Sequence, residues 1–185
     1  MATKFISDLH LYDVDSLDWR KELDMNLDQY AMYLIDQWNM FTEDDDLVII
    51  VGDLGKYCTK TVEVLKRLKG KKILVRGNHD LIWGDYAYDA SLFHGTHDYV
   101  LCNGLYITHI PDISESIRND VTYIVHGHHH RYDMPNMQIK LKQYARDVHR
   151  YNCAADLNNH RPCTLQELIV NKEVLLEKAE ERGLL

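Results

Sequence analysis

Apolar residues along this chain fall into two rhythms, short unbroken runs and a helical repeat that returns every three to four positions. The run Leu47–Val51 (LVIIV) has no polar interruption, as a strand covered on both faces requires, and it stops at Gly52-Asp53. Residues 72–76 (KILVR) repeat that pattern and stop at Gly77-Asn78-His79-Asp80. Between them, Val62, Leu65 and Leu68 are spaced for the inner face of a helix that begins near Thr59, pairs Glu63 with Arg67 and stops at Gly70. Upstream, residues 4–7 form a short strand ending at Asp8, and Leu27, Tyr30, Ala31, Leu34, Ile35 and Trp38 line one side of a second helix. Strand, helix and strand alternate as in βαβ units, which predicts an α/β protein with parallel pairing in its first half.

The second half turns more often. Residues 99–102 and 105–108 flank Asn103-Gly104, the pair favoured in a two-residue type I′ hairpin, and the second arm delivers His109 at its end. Residues 122–125 (TYIV) predict one more strand, followed at once by His126-Gly127-His128-His129-His130. A final strand near residues 150–155 precedes a helix opened by the capping box Thr164-Leu165-Gln166-Glu167.

Composition adds limits to this outline. The 185 residues include 45% hydrophobic positions, 3 Pro and 9 Gly, with no repeat or flexible linker, so the expectation is one domain over residues 1–185. The opening MATKFISDLH lacks a signal pattern and no apolar stretch is long enough to span a bilayer, so a cytoplasmic protein with no membrane partner is expected. The formal charge of −8 argues against bulk binding of nucleic acid. That charge is local: residues 1–50 hold three bases against twelve acids, while the remainder is nearly balanced. Cys58, Cys102, Cys153 and Cys163 are too dispersed for a zinc or redox motif and are read as buried free thiols. Asp44-Asp45-Asp46 lacks the alternation of a calcium loop, and the lysines and arginine between Lys66 and Lys72 suit a helix C-terminus.

Chemistry gathers where the predicted strands end. Asp8 and His10, Asp53, Asn78 and His79, His109, and the histidine run at 126–130 all follow a strand, and strand ends in open α/β sheets share one crevice. Asp8 with His10, and His128 with His130, are two residues apart, so on an extended chain each pair faces one side. His126 and His129 fall on the other side of that alternation and are expected as supporting or solvent groups. Asp53, in a glycine-flexed loop, has two oxygens with which to bridge two cations. His94, His97, His149 and His160 are read as ordinary polar histidines, and Arg131 and Lys56 as candidate phosphate contacts.

Taken in chain order, Asp8-Leu9-His10, Gly52-Asp53, Gly77-Asn78-His79-Asp80, His109 and Gly127-His128-His129-His130 resemble the D-x-H, G-D, G-N-H-[DE], H and G-H-x-H blocks of the calcineurin-like metallophosphoesterase superfamily. Segments 25–38, 45–55, 65–80 and 161–168 resemble its small bacterial and phage members. The resemblance implies a four-layer αββα sandwich with two divalent transition-metal ions at one end. Asp8, His10, Asp53 and His130 would hold one ion; Asp53, Asn78, His109 and His128 would hold the other. It further implies hydrolysis of phosphate mono- or diesters by a hydroxide held between the ions, with His79 as proton donor to the leaving oxygen. Mixed nitrogen and oxygen ligands suit manganese, iron, zinc, nickel or cobalt without choosing among them, and manganese is the first expectation. A small phosphorylated molecule is the expected partner; neither the substrate nor the oligomeric state is specified by the sequence. One departure stands out, because Lys56 occupies the place where many relatives have an aspartate that orients the catalytic histidine, leaving Asp80 as a guess for that role. Loops 110–119 and 131–138 are where substrate selection is expected. Two competing readings are a binding module on the same fold, disfavoured by the complete ligand set, and a nuclease, disfavoured by the acidic N-terminal fifty residues.

Overall fold

The computed structural model describes residues 1–16, 23–80, 91–111, 121–130, 138–147 and 149–185. Loop residue Arg131 and most of the two predicted selecting loops lie outside the described residues. Two four-stranded sheets are stacked. The first orders β1 (Thr3–Ile6), β2 (Leu47–Val51), β3 (Lys71–Val75) and β4 (Gly95–His97), all parallel. In the second, β5 (Val100–Cys102) and β6 (Leu105–Ile107) form the predicted antiparallel hairpin. Asn103 and Gly104 at its turn have φ of 50° and 77°, as a type I′ turn needs. Two parallel strands, β7 (Tyr123–His126) and β8 (Arg150–Asn152), complete that sheet.

Helices cover both outer faces. On the first sheet lie α1 (Leu27–Met40) and α2 (Thr59–Arg67), joined to Val48, Ile50 and Leu74 through buried Leu34, Ile35, Trp38, Val64 and Leu65. Phe5, Ile49, Val51 and Val75 meet Ile107, Val125 and Tyr151 between the sheets, which explains why β2 is apolar on both sides. The outer side of the second sheet carries α3 (Gln138–Arg146), whose Leu141 and Tyr144 cluster with Ala179 of α4 (Leu165–Glu181). The result is the four-layer αββα sandwich. Among the described residues no helix is long and apolar enough to cross a membrane.

Local signals place most of these elements. Thr164 and Glu167 form the expected capping box on α4, and α1 has a second one, Asn26 with Gln29, that the sequence reading did not use. Helix α2 ends earlier than Gly70, because Leu68 is already extended with ψ of 126° so that the chain can drop into β3. Its inner face is Thr61, Val64 and Leu65, with Val62 only partly buried. Neither β4 nor α3 was expected; both are short and lack an apolar period of their own.

The two sheets are stitched together beside Asp8. Ser7 donates its backbone N–H to Cys153 (3.0 Å), Ala155 donates to Ser7 (3.0 Å), and Phe5 and Cys163 exchange two backbone bonds at 2.8 and 3.0 Å. Cys153 in turn donates to His126 (2.8 Å) and Gly127 to His109 (3.1 Å), so the ends of β1, β6 and β7 are held at one place.

Candidate metal centre

Where β1 and β2 stop, the chain leaves the extended region abruptly. Asp8, His10 and Asp53 have φ of 59°, 41° and 53°, and His128 after β7 has φ of 68°. Left-handed backbone costs a non-glycine residue roughly 1–2 kcal/mol, so this turn is held by its surroundings rather than by preference. His128 and His130 do not face one side, as the spacing suggested, but enter different clusters; Asp8 and His10 do face one cluster, though not through extended alternation. They do so because backbone bonds from Asp8 to Gly52 and from His10 to Asp53 (both 3.0 Å) fold the two strand ends over each other.

The side chains converge in two groups. Donor atoms of Asp8, His10 and His130 lie within 4.8 Å of one another, and so do those of Asp53, His109 and His128. His10 bridges the groups, with Nε2 3.9 Å from Asp8 Oδ1 and 3.7 Å from Asp53 Oδ2. His130 Nε2 is 3.3 Å from Asp8 Oδ1, and His109 Nε2 is 3.1 Å from Asp53 Oδ2. The His10 and His130 rings are 5.2 Å apart, and those of His109 and His128 are 5.3 Å apart.

Two glycines make this closeness possible. A Cβ on Gly77 would sit 2.2 Å from Asp53 Oδ1, and one on Gly127 would sit 2.5 Å from Asp8 Oδ2. Both carboxylates are also oriented by the backbone: Asp53 Oδ1 accepts from the His79 N–H (2.9 Å), and Asp8 Oδ2 accepts from the His128 N–H (3.0 Å) and the Ser7 hydroxyl (2.5 Å).

Burial works to neutralise Asp8, but His130 and His10 outweigh it and hold the carboxyl well below its ordinary value. For Asp53 burial is likewise the largest influence and is overcome by His109. Burial opposes charge on His109 and His130 as well, yet Asp53 lifts the first to about 9, and Asp8 with Asp156 lifts the second to about 10. His128 shifts the other way, through burial and the neighbouring His109.

These donors suit cations. His109 Nδ1 is 2.8 Å from the Val51 carbonyl and donates to it, so its Nε2 lone pair faces the Asp53 carboxylate unless a proton or a metal lies between. Asn78 Oδ1 is buried with no hydrogen-bond partner among the described residues, as is His109 Nε2. A set of carboxylate oxygens, imidazole nitrogens and one amide oxygen, two of them buried and unsatisfied, fits divalent transition metals.

His79 stands at the rim, its side chain 35% exposed, with Nε2 4.0 Å from Asp53 Oδ2 and its ring edge-on to His10 at 5.3 Å. Asp80 does not orient it. The Asp80 carboxylate accepts from the backbone N–H groups of Gly77 (2.7 Å), Asp53 (2.8 Å) and Leu54 (2.9 Å), and so pins the two loops together. Lys56 Nζ is 3.5 Å from Asp13 Oδ1.

Other expectations need correction. Of the two alternatives for His126 and His129, the solvent-facing one fails, since both are buried, and His126 Nδ1 donates to the Gly127 carbonyl (2.7 Å). His160 is also buried, 3.3 Å from the Tyr30 hydroxyl. Of the four thiols only Cys153 and Cys163 are buried; Cys102 is exposed on the β5 edge. Sequence reasoning missed Asp13 and Asp156, which lie behind His10 and His130 at 3.4 and 3.3 Å. Asp13 is three residues past His10, a spacing that could have drawn attention; Asp156 carries no such signal.

Comparison with known proteins adds three findings. The family model described as the calcineurin-like phosphoesterase superfamily domain matches residues 1–144. An uncharacterized protein of Methanocaldococcus jannaschii is 28% identical over 181 residues, covering 95% of this chain and 91% of that protein. The crystal structure of a protein of unknown function from Aquifex aeolicus is similar with a TM-score of 0.67 and 21% identity, covering 90% of this chain and 96% of that one. The last is a likeness of fold.

Proposed function

Because this chain belongs to the calcineurin-like phosphoesterase superfamily, we propose that it is a dinuclear metal-dependent hydrolase of phosphate mono- or diesters. Asp8, His10, Asp53 and His130 hold one ion in this reading, and Asp53, Asn78, His109 and His128 hold the other, with Asp53 shared. The observation that carries it is the pair of three-residue donor clusters side by side at the strand ends. Two divalent cations there would supply positive charge for an anionic phosphoryl group and bring the pKa of a shared water toward neutrality. Manganese is our first choice of metal, with iron, zinc, nickel or cobalt as alternatives.

The chain's own groups would do the rest. Asp53 is held by the His79 N–H and by the Asp80-pinned loop, so it does not swing when its charge is neutralised. His79, half in solvent, would carry a proton at Nε2 to the leaving oxygen. Its ring packs edge-on to His10, and the backbone that carries it is held where the Gly77 N–H bonds to Asp80. A small phosphorylated substrate is favoured over a polynucleotide by the net charge of −8.

Purified protein supplied with Mn²⁺ should hydrolyse bis-p-nitrophenyl phosphate. Asp53→Asn should abolish the activity, and His79→Ala should lower kcat by about 10²–10⁴-fold. Wild-type rates in both variants would refute the assignment.

A further inference from the structure

His10, His109 and His130 each present Nε2 to the carboxylates of Asp8 and Asp53 and turn Nδ1 outward, and what meets Nδ1 differs between the two halves of the cluster. Behind His10 lies Oδ2 of buried Asp13 at 3.4 Å, an ion-pair approach rather than a formed hydrogen bond, and behind His130 lies Oδ1 of Asp156 at 3.3 Å, within hydrogen-bond distance. Behind His109 there is only the neutral carbonyl of Val51, at 2.8 Å. His128 is exposed, and among the described residues no outer carboxylate is paired with its ring. Among the described residues, the half built on Asp8 is therefore backed by two negative charges and the half built on Asp53, His109 and His128 by none.

The two backing carboxylates are themselves anchored. The other oxygen of Asp13 is 3.5 Å from Lys56 Nζ, which leaves Oδ2 for His10. Asp156 sits on the 3-10 turn Ala155–Leu157, whose first N–H is bonded to Ser7, the residue next to Asp8. It is delivered by the C-terminal segment, past the residues 1–144 that match the family model. A carboxylate on Nδ1–H fixes the tautomer that leaves Nε2 free to ligate and makes that nitrogen more basic; removing such a partner costs 10–100-fold in metal affinity. A carbonyl fixes the tautomer without adding charge.

We propose that Asp13 and Asp156 are positioning carboxylates that make the Asp8–His10–His130 position the tighter of two metal positions, so that it fills first. The inference rests on the two-metal reading above. It assigns to Lys56 the task of holding Asp13.

The test is a Mn²⁺ titration of the metal-stripped full chain, followed by calorimetry and by electron paramagnetic resonance. Wild type should show two unequal steps, the first with the signal of an isolated ion. Asp13→Asn and Asp156→Asn should each weaken the tighter step by roughly 10-fold or more and leave the other within about threefold. Two equal steps in wild type, or a tight step unchanged in both variants, overturns this inference and leaves the two-metal reading standing. No uptake of Mn²⁺ by wild type overturns both. Should either variant fail to fold, the wild type carries a second measurement. With Zn²⁺ bound and ¹⁵N-labelled histidine, two-bond nitrogen–proton correlations should report the Nδ1–H tautomer for His10 and His130, and an Nε2–H tautomer on either one overturns the inference.

Discussion

At the scale of single residues, the site is a problem of close approach. All three of its motif blocks that contain glycine place that residue against a candidate ligand: Gly52 against the His109 ring, Gly77 against Asp53 and Gly127 against Asp8. A side chain at Gly77 must displace the shared carboxylate, since the added Cβ would lie 2.2 Å from Oδ1 and 2.6 Å from the Asp53 backbone nitrogen. Gly77→Ala should therefore destabilise the protein by about 1–3 kcal/mol and reduce phosphodiester hydrolysis at least tenfold. Thermal unfolding and a rate assay on the same preparation check both parts; an unchanged rate would mean that the approach is slack. The glycines were legible in the sequence as motif letters, whereas their reason, a carboxylate arriving from another strand, was not.

Among elements, the structure depends on how the loop before β2 is tied to β1. Asp46 accepts from the Ala2 N–H (2.6 Å), the Glu43 N–H (3.1 Å) and Lys4 Nζ (2.7 Å), and its side chain is only 5% exposed. The sequence excluded a calcium loop there but could not show which of the three aspartates turns inward; Asp44 and Asp45 stay exposed and Asp46 is buried. Lys4 above all, then the two backbone donors, hold the Asp46 carboxyl below its ordinary value. A depressed carboxylate stabilises the fold above the unfolded pKa of about 3.9 and ceases to do so as pH falls toward the folded value. Asp46→Ala should thus cost about 2–3 kcal/mol between pH 5 and 8, with the gap to wild type closing below pH 4. Urea titrations at several pH values test it, and a gap that widens in acid would contradict the sign.

For the whole molecule, the two sheets bring ligands from opposite halves of the chain to one end, so ions bound there should tie the halves together. At a concentration a hundred times the dissociation constant, a ligand specific to the folded state adds about 2.7 kcal/mol. For a chain of this length that is a rise in Tm of roughly 5–10 °C. Mn²⁺ should produce such a rise and a chelator should reverse it; a Tm indifferent to both would leave the donor clusters without a role. The α/β class, most strand and helix positions, and the ligand types in their chain order could all be read from residues alone. Those features depend on neighbours a few positions away, where apolar period, capping and turn chemistry act. The parts that escaped prediction depend on contacts across long stretches of chain. Short β4 is held by its pairing with β3, and α3 by the packing of Leu141 and Tyr144 against α4, while the inward side of His126 follows from its packing on Tyr144. Asp156, more than a hundred and forty residues from His10 and Asp8, reaches His130 only because the C-terminal segment is bonded along β1. Local sequence names the candidate donors; the stacking of two sheets settles which carboxylate stands behind which histidine.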